Sequence, residues 1–419
     1  MQQNINNQNN IKFSNNKTLW IIFTTILIDM IGVGVLLPIF PMLVLTESPF
    51  RITPDYWSLS QGFIMAGFLS ASFPLAQFFA SPILGQMSDK HGRRNILIIS
   101  LVGTGLSYLL FAYAIYIKNI PLLFISRIID GISGGNIAVA QAVIGDISDP
   151  KSRAKNFGLI GVAFGVGFIL GPFLGGKLSD HTLLPFFNLT TPFIFASFLS
   201  LINILLIIKF LPETVKARDV KLDLSKSLKN IKKVFLYKDI KAILITIFLF
   251  NAGFTFFTTF LGIVLAHKYS FTNVHIGNYY AYMGIMIIIA QGVIVRRLSG
   301  KLNDYKVLTF SIIIVGVVIS LYYFIPQNYP IWLYYLPPML ALFSALTRAF
   351  SMALLTRLSP NGKLGEIMGI NSSLMALAQS LPAILAGYLA TNHATLPILI
   401  GGIITILAGI WYNYHNNQY

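Results

Sequence analysis

The chain has 419 residues, 55% of them hydrophobic and only 11% charged, with a formal charge of +16. Soluble domains carry about 25% charged residues, so an ordinary globular protein is excluded and a polytopic membrane protein is expected. Cysteine is absent, which excludes disulfides and thiolate metal sites.

Residues 1–18 are rich in Asn and Gln and show no small-residue cleavage site before the first apolar run. They are expected to form a disordered cytoplasmic tail, with the first helix as an uncleaved insertion signal. Apolar runs of about twenty residues then match the hydrocarbon thickness of a bilayer. Six are predicted in the first half, over 19–44, 58–82, 94–117, 121–146, 156–178 and 190–211. Six more follow over 241–266, 276–298, 305–325, 331–356, 365–390 and 394–413. The expectation is an all-α membrane protein with twelve transmembrane helices in two six-helix pseudo-repeat bundles, 19–211 and 241–413. A linker, 212–240, joins them, and 414–419 is a short cytoplasmic tail.

The first span carries Asp29 at mid-membrane depth. Placing a carboxylate there costs about 2.5–3.5 kcal/mol on insertion scales, so the group is expected to serve function by binding a proton or cation. Between the second and third spans lies Gly85-Gln-Met-Ser-Asp89-Lys-His-Gly92-Arg93-Arg94, a tight turn with a compact charge cluster. The fourth span holds Arg127 and Asp130, three apart and therefore on one helix face. Asp130 either neutralises Arg127 or titrates; in the second case Arg127 tunes Asp130 or Asp29. Asn136 and Gln141 follow as candidate cavity residues, and Asp146 closes the span. The fifth span is rich in glycine, including Gly167, Gly171, Pro172, Gly175 and Gly176. Small residues at that spacing allow close helix packing, and the proline bends the helix.

Within the linker, Leu224, Leu228, Ile231 and Phe235 recur at helical spacing among lysines. They predict a basic amphipathic helix on the anionic cytoplasmic leaflet, the alternative being a solvated linker. Aromatic and amide residues crowd the seventh, eighth and tenth spans. Asn251, Phe254, Phe257, Tyr280 and Gln291 are candidate walls for an amphipathic organic cargo. Trp332, Tyr334 and Tyr335 sit near a span end and also fit an interfacial belt. Arg348, halfway along the tenth span, is expected to line the cavity, with Asn371 and Gln379 of the eleventh adding polar contacts. With the N-terminus inside, twenty-four Lys and Arg fall on the cytoplasmic side and four on the other. That asymmetry follows the positive-inside rule and places both termini in the cytoplasm.

The loop Gly85–Arg94 resembles the signature of the major facilitator superfamily, G-x-L-x-D-[RK]-x-G-R-[RK], with Met87 where Leu is common. Residues Arg297–Lys306 look like a decayed copy in the second half. The run from Gly167 to Gly176 resembles the antiporter motif of drug-exporting members. Ile28–Pro41, Arg153–Gly158, Leu211–Thr214 and Gly365–Ser373 are similar to tetracycline-resistance-type drug:proton antiporters. Asp130 departs from the family's R-x-x-[QS]-G pattern. The resemblance implies the major facilitator fold, alternating access, and a fifth helix whose packing disfavours proton leak. It also implies that Asp89, Arg93 and Asp146 act as gate residues, in a charge cluster with the start of the eleventh helix.

Together these features predict a proton-coupled transporter in a bacterial-type plasma (inner) membrane, working as an antiporter that exports a small amphipathic compound or drug. Asp29, with Asp130 and Arg127, would handle the proton. The alternatives are a proton symporter importing a metabolite, nutrient or siderophore, and a non-transporting sensor. No catalytic set or phosphate-binding loop is seen, and the six histidines lie in loops or tails. The expected partners are a small-molecule substrate, protons and lipids, with no nucleic acid and no cofactor, for a monomeric protein.

Overall fold

The computed structural model describes residues 2–148, 153–215, 222–223, 225–298, 303–360 and 363–416. Among them, twelve helices are long and apolar enough to cross a membrane. In the first half they are Asn16–Val44, Leu59–His91, Arg93–Tyr116, Ile120–Ile147, Leu159–Leu178 and Thr191–Phe210. In the second half they are Ile240–Tyr269, Asn273–Leu298, Asp304–Phe324, Pro330–Leu358, Glu366–Ala390 and Leu396–His415. The spans fall where apolar run length placed them.

Two differences lie at the chain ends. The first helix runs Gln2–Val44, so residues 2–18, expected as a disordered tail, are helical. Nucleation is the costly step of helix formation, and a long membrane helix supplies the nucleus for an Asn- and Gln-rich extension. The last helix, Leu396–Asn416, likewise continues into the expected tail.

Two spans depart from regular helix. The fourth is interrupted at Gly134-Gly135, between helices Ile120–Ser133 and Asn136–Ile147. The second span presses into that break: a Cβ on Gly135 would lie 3.0 Å from the Ser81 backbone. Gln77 donates to the Gly134 carbonyl at 2.8 Å, satisfying an acceptor in the interruption. The eighth span contains a π-helical turn, Ala290–Val295.

Each half has its own apolar core. Ile243, Leu261, Val315, Phe350 and Ile398 belong to the second-half core. Ile26, Leu101, Val143 and Ile207 form one in the first half. A mirrored ion pair relates the halves. Arg93, opening the third span, meets Asp146, closing the fourth, at 3.1 Å. Asp304, opening the ninth span, meets Arg357, ending the tenth, at 2.8 Å. The positions correspond and the charges are exchanged, which supports an internal repeat even though 299–302, within the decayed loop copy, lie outside the described residues.

The halves converge at the end away from the termini. Gly67 faces Gly387, where an added Cβ would lie 3.0 Å from the opposing Cα. Gly176 faces Gly277 in the same manner, at 3.2 Å. Nearby, Asn273 donates to the Ser179 hydroxyl at 2.6 Å and Phe63 meets the Phe260 ring edge-on at 6.0 Å. Toward the termini, a Cβ on Gly85, Gly145, Gly161, Gly165 or Gly292 would meet nothing within 4 Å.

The linker helix, Lys226–Lys233, bridges the halves at the termini end. Ser227 donates to the Phe78 carbonyl of the second span at 2.6 Å. Asn230 donates to Gly369 at 3.3 Å and to Ser373 at 3.2 Å, both on the eleventh. The face buried in protein is therefore Ser227, Asn230 and Val234, while Leu228 and Phe235 of the apolar stripe are exposed. Leu224 lies outside the described residues. Just before the helix, Lys229 and Ser225 hydrogen-bond the Asp223 carboxyl and hold its pKa down at about 2.

Candidate transport site

Asp29 is buried in the middle of the first span, with 7% of its surface exposed. Asn136 Nδ2 donates to its Oδ2 at 2.6 Å. Asn136 begins the second part of the fourth span, directly after the two glycines. The other oxygen, Oδ1, has no hydrogen-bond partner among the described residues. An ionised carboxylate has about four acceptor sites. Here one is filled, which leaves an oxygen free to take a proton. Asn136, expected in the cargo wall, is instead the partner of this carboxyl.

Sequence reasoning passed over Tyr108 of the third span. Its hydroxyl packs on Gly32, one turn after Asp29: a Cβ there would lie 2.0 Å from the Tyr108 oxygen. A glycine one turn from a mid-membrane acid was the available signal, since it announces a large neighbour without saying which.

Arg127 and Asp130 form a buried ion pair at 2.6 Å, with side chains 8% and 3% exposed. The guanidinium also stacks over the Phe73 ring, 4.7 Å from its centroid. Of the two roles open to Asp130, this geometry realises the neutralising one. Asp29 is then the mid-membrane carboxyl with no cationic partner among the described residues.

The cargo candidates separate into three groups. Phe257 is fully buried in the second-half core against Tyr322, with ring centroids 5.0 Å apart, so it is packing rather than cavity wall. Large aromatic area fills a core as readily as it lines a passage. Tyr280 is also buried, but it lines a void between the halves with Leu36, Phe40, Thr258 and Ile263. That void holds about 50 Å³. One water takes roughly 30 Å³, so no organic cargo fits there. It marks the closed end of the central passage. Asn251 bonds back to the Ile247 carbonyl of its own helix at 2.7 Å. Asn371 is buried, with its amide nitrogen 3.6 Å from the Met375 sulfur and its oxygen without a partner among the described residues. Gln141 and Gln291 are half-buried, while Gln379 and Arg348 are exposed. Arg348 is open although protein atoms surround it, and its guanidinium lies over the Phe254 ring at 5.4 Å.

The gate residues assemble around Arg93, which bonds Asp89 at 2.6 Å, Asp146 at 3.1 Å and the Ser88 hydroxyl at 2.6 Å. Glu213 accepts from the Arg93 backbone N–H at 2.8 Å and from that of Arg94 at 3.2 Å. Gly92 makes this possible. Its φ of +93° suits glycine, and a Cβ would strike the Glu213 carboxylate at 2.3 Å. Among the described residues these partners all belong to the first half or the start of the linker, and not to the eleventh helix as expected. Glu366, opening that helix, is instead bound by Lys233 and by Tyr237. The physical reason is position: the halves meet at the opposite end, so the cluster closes on itself.

The glycine motif packs the fifth span onto the first. A Cβ on Gly167 would meet Met30 at 2.4 Å, beside Asp29. On Gly171 it would lie 2.7 Å from the Gly34 Cα, and on Gly175 2.5 Å from the Val35 carbonyl. Gly176 and the Pro172 carbonyl face Gly277 of the eighth span. One helix therefore contacts both the Asp29 helix and the opposite half.

The sequence matches the family model of the Major Facilitator Superfamily over residues 22–337 and 293–416. It is 30% identical to the class H tetracycline resistance protein of Pasteurella multocida, over 71% of this chain and 70% of that one. It is 26% identical to multidrug resistance protein 2 of Bacillus subtilis, over 97% and 95% of the two chains. The solved structure of the human organic anion transporter MFSD10 superposes with a TM-score of 0.73 at 21% identity, covering 95% of this chain and 99% of that one. A D-xylose-proton symporter superposes at 0.76 with 16% identity, covering 94% and 96%. These likenesses, with twelve apolar helices in two repeated halves, place the chain in the Major Facilitator Superfamily of membrane transporters, among members resembling the tetracycline-resistance type.

Proposed function

We propose that the protein is a proton-coupled antiporter that exports a small amphipathic organic compound across a bacterial-type plasma membrane. Both termini lie in the cytoplasm in this reading. The observation that carries it is Asp29: buried at mid-membrane depth, held by one neutral donor, and without a cationic partner among the described residues. A permanent ion pair would lock a carboxyl in one charge state, whereas an amide donor on one oxygen leaves the other free to exchange a proton. The cycle is alternating access, the two halves rocking about the midplane. The packing of the halves at the end away from the termini supports reading the form described as inward-facing. Asp29 arrives protonated, and loading of cargo from the cytoplasm or inner leaflet promotes release of its proton to the cytoplasm before the protein turns outward. Asn136 positions the carboxyl.

Antiport is favoured over symport by the fifth span, whose glycines pack it tightly on the Asp29 helix and on the eighth span, leaving little room for an idle proton path. The relatives named for tetracycline and multidrug resistance support a drug-like cargo. The test is transport in proteoliposomes under an imposed pH gradient, with tetracycline and a panel of amphipathic dyes as probes. Wild type should move a probe against the proton flux, and Asp29→Asn should abolish gradient-driven movement while remaining folded in the membrane. Movement with the proton flux would establish symport. Undiminished gradient-driven transport by Asp29→Asn would overturn the coupling role.

A further inference from the structure

We infer that Arg348 is the docking point for an oxyanionic group of the cargo, so that the transported compound is an amphipathic organic anion. The inference rests on the transport reading above and adds a substrate class to it. Arg348 lies twelve residues into the helix Leu336–Leu358, near the bilayer midplane. Arg127, the other mid-membrane cation among the described residues, is matched by Asp130 at 2.6 Å. Arg348 has no carboxylate partner among them and keeps its surface open.

The direction in which it points follows from its neighbour. Its guanidinium lies over Phe254 of the seventh span. Thr258, one turn further on and bonded to the Phe254 carbonyl at 3.1 Å, lines the void between the two halves. Residues four apart share a helix face. Phe254 therefore continues that wall from the closed end toward the open one, and Arg348 faces the inter-half passage rather than lipid. Phe254 is itself braced, stacked on Phe250 at 6.0 Å and against Phe257 at 5.9 Å.

An unpaired guanidinium away from bulk water is expensive unless something compensates it. Its planar fork matches a carboxylate, sulfonate or phosphate through two parallel hydrogen bonds, which an ammonium cannot reproduce. The ring beneath offers an apolar and aromatic surface for the body of the same molecule. A compound with an anionic head and an aromatic body meets both demands. The inference also fixes the electrical sign of transport. Exchange of one exported monoanion for one entering proton moves positive charge inward twice over, so a membrane potential negative inside should accelerate it.

The experiment uses purified full-length protein and three pyrene probes, one with a butyrate tail, one with the matching amide and one with the matching trimethylammonium. Binding is read by fluorescence anisotropy and transport in proteoliposomes. Wild type should bind the butyrate at least tenfold more tightly than either companion. Arg348→Gln should erase that preference with the amide affinity unchanged within twofold, and Arg348→Lys should keep part of it, having charge without the fork. Equal binding of the three by wild type, preference for the ammonium, or an equal loss of all three in Arg348→Gln would overturn the inference. The two readings fail separately. Proton-coupled transport of the ammonium or amide without butyrate preference removes the anion site and leaves the antiporter. Butyrate preference without proton-coupled transport of any probe does the reverse.

Discussion

Charges inside a bilayer must be paired, hydrated or used, and the three mid-membrane groups of the first half divide along those lines. Arg127 and Asp130 neutralise one another in the protein interior. Removing one partner of a buried pair leaves an uncompensated charge and costs about 3–5 kcal/mol, whereas removing both is often close to neutral. Arg127→Gln should therefore lower the thermal melting midpoint in detergent sharply, and the double variant Arg127→Gln with Asp130→Asn should recover most of it. If the double variant melts as low as the single, the pair is not the structural unit described. Asp29 was legible in the sequence because a lone acid violates an otherwise apolar run. Its partner was not. Asn136 lies 107 residues away on the fourth span, so no local pattern in the sequence announces the contact. The same limit misassigned Phe257, since core and cavity walls draw on one set of aromatic residues.

At the scale of helices, glycine decides how closely neighbours approach. In the fifth span Gly171 and Gly165 look alike in sequence, yet a Cβ on Gly171 would lie 2.7 Å from the Gly34 Cα while one on Gly165 meets nothing within 4 Å. Overpacking costs about 1–3 kcal/mol. Gly171→Val should therefore reduce thermal stability and raise passive proton leak in liposomes read by a pH dye, while Gly165→Ala should match wild type in both. Equal effects would refute the packing asymmetry. The linker helix makes a second case. Its amphipathic stripe was visible, but the contact it forms uses Ser227 and Asn230, whose partners lie on spans far away in sequence. Changing both to Ala should free the segment and speed tryptic cleavage within 222–233, read by mass spectrometry. An unchanged cleavage rate would mean that lipid, not the spans, holds the helix. Span positions were legible throughout because bilayer thickness sets their length. The fourth-span break and the π-turn were not, since each depends on what packs beside it.

For the whole molecule, the two halves pack together at the end away from the termini. The chain has no cysteine, so pairs can be introduced without background. Ser179→Cys with Asn273→Cys, whose native side chains meet at 2.6 Å, should cross-link readily in the resting protein. A cysteine at Gly161, which faces open space, should react with a membrane-impermeant maleimide from the side of the termini alone. Labelling from the opposite side would reverse the assigned orientation or state. Twelve spans in two halves could be read from apolar length. Which end is shut could not, because both states use the same helices. The coupling claim at the centre of this account is tested most directly by counting protons released from purified protein in weakly buffered detergent when a transported probe is added. Wild type should release about one proton for each probe molecule bound, and Asp29→Asn should bind the probe and release none. Equal release from the two proteins would contradict the assignment of the exchanged proton to Asp29.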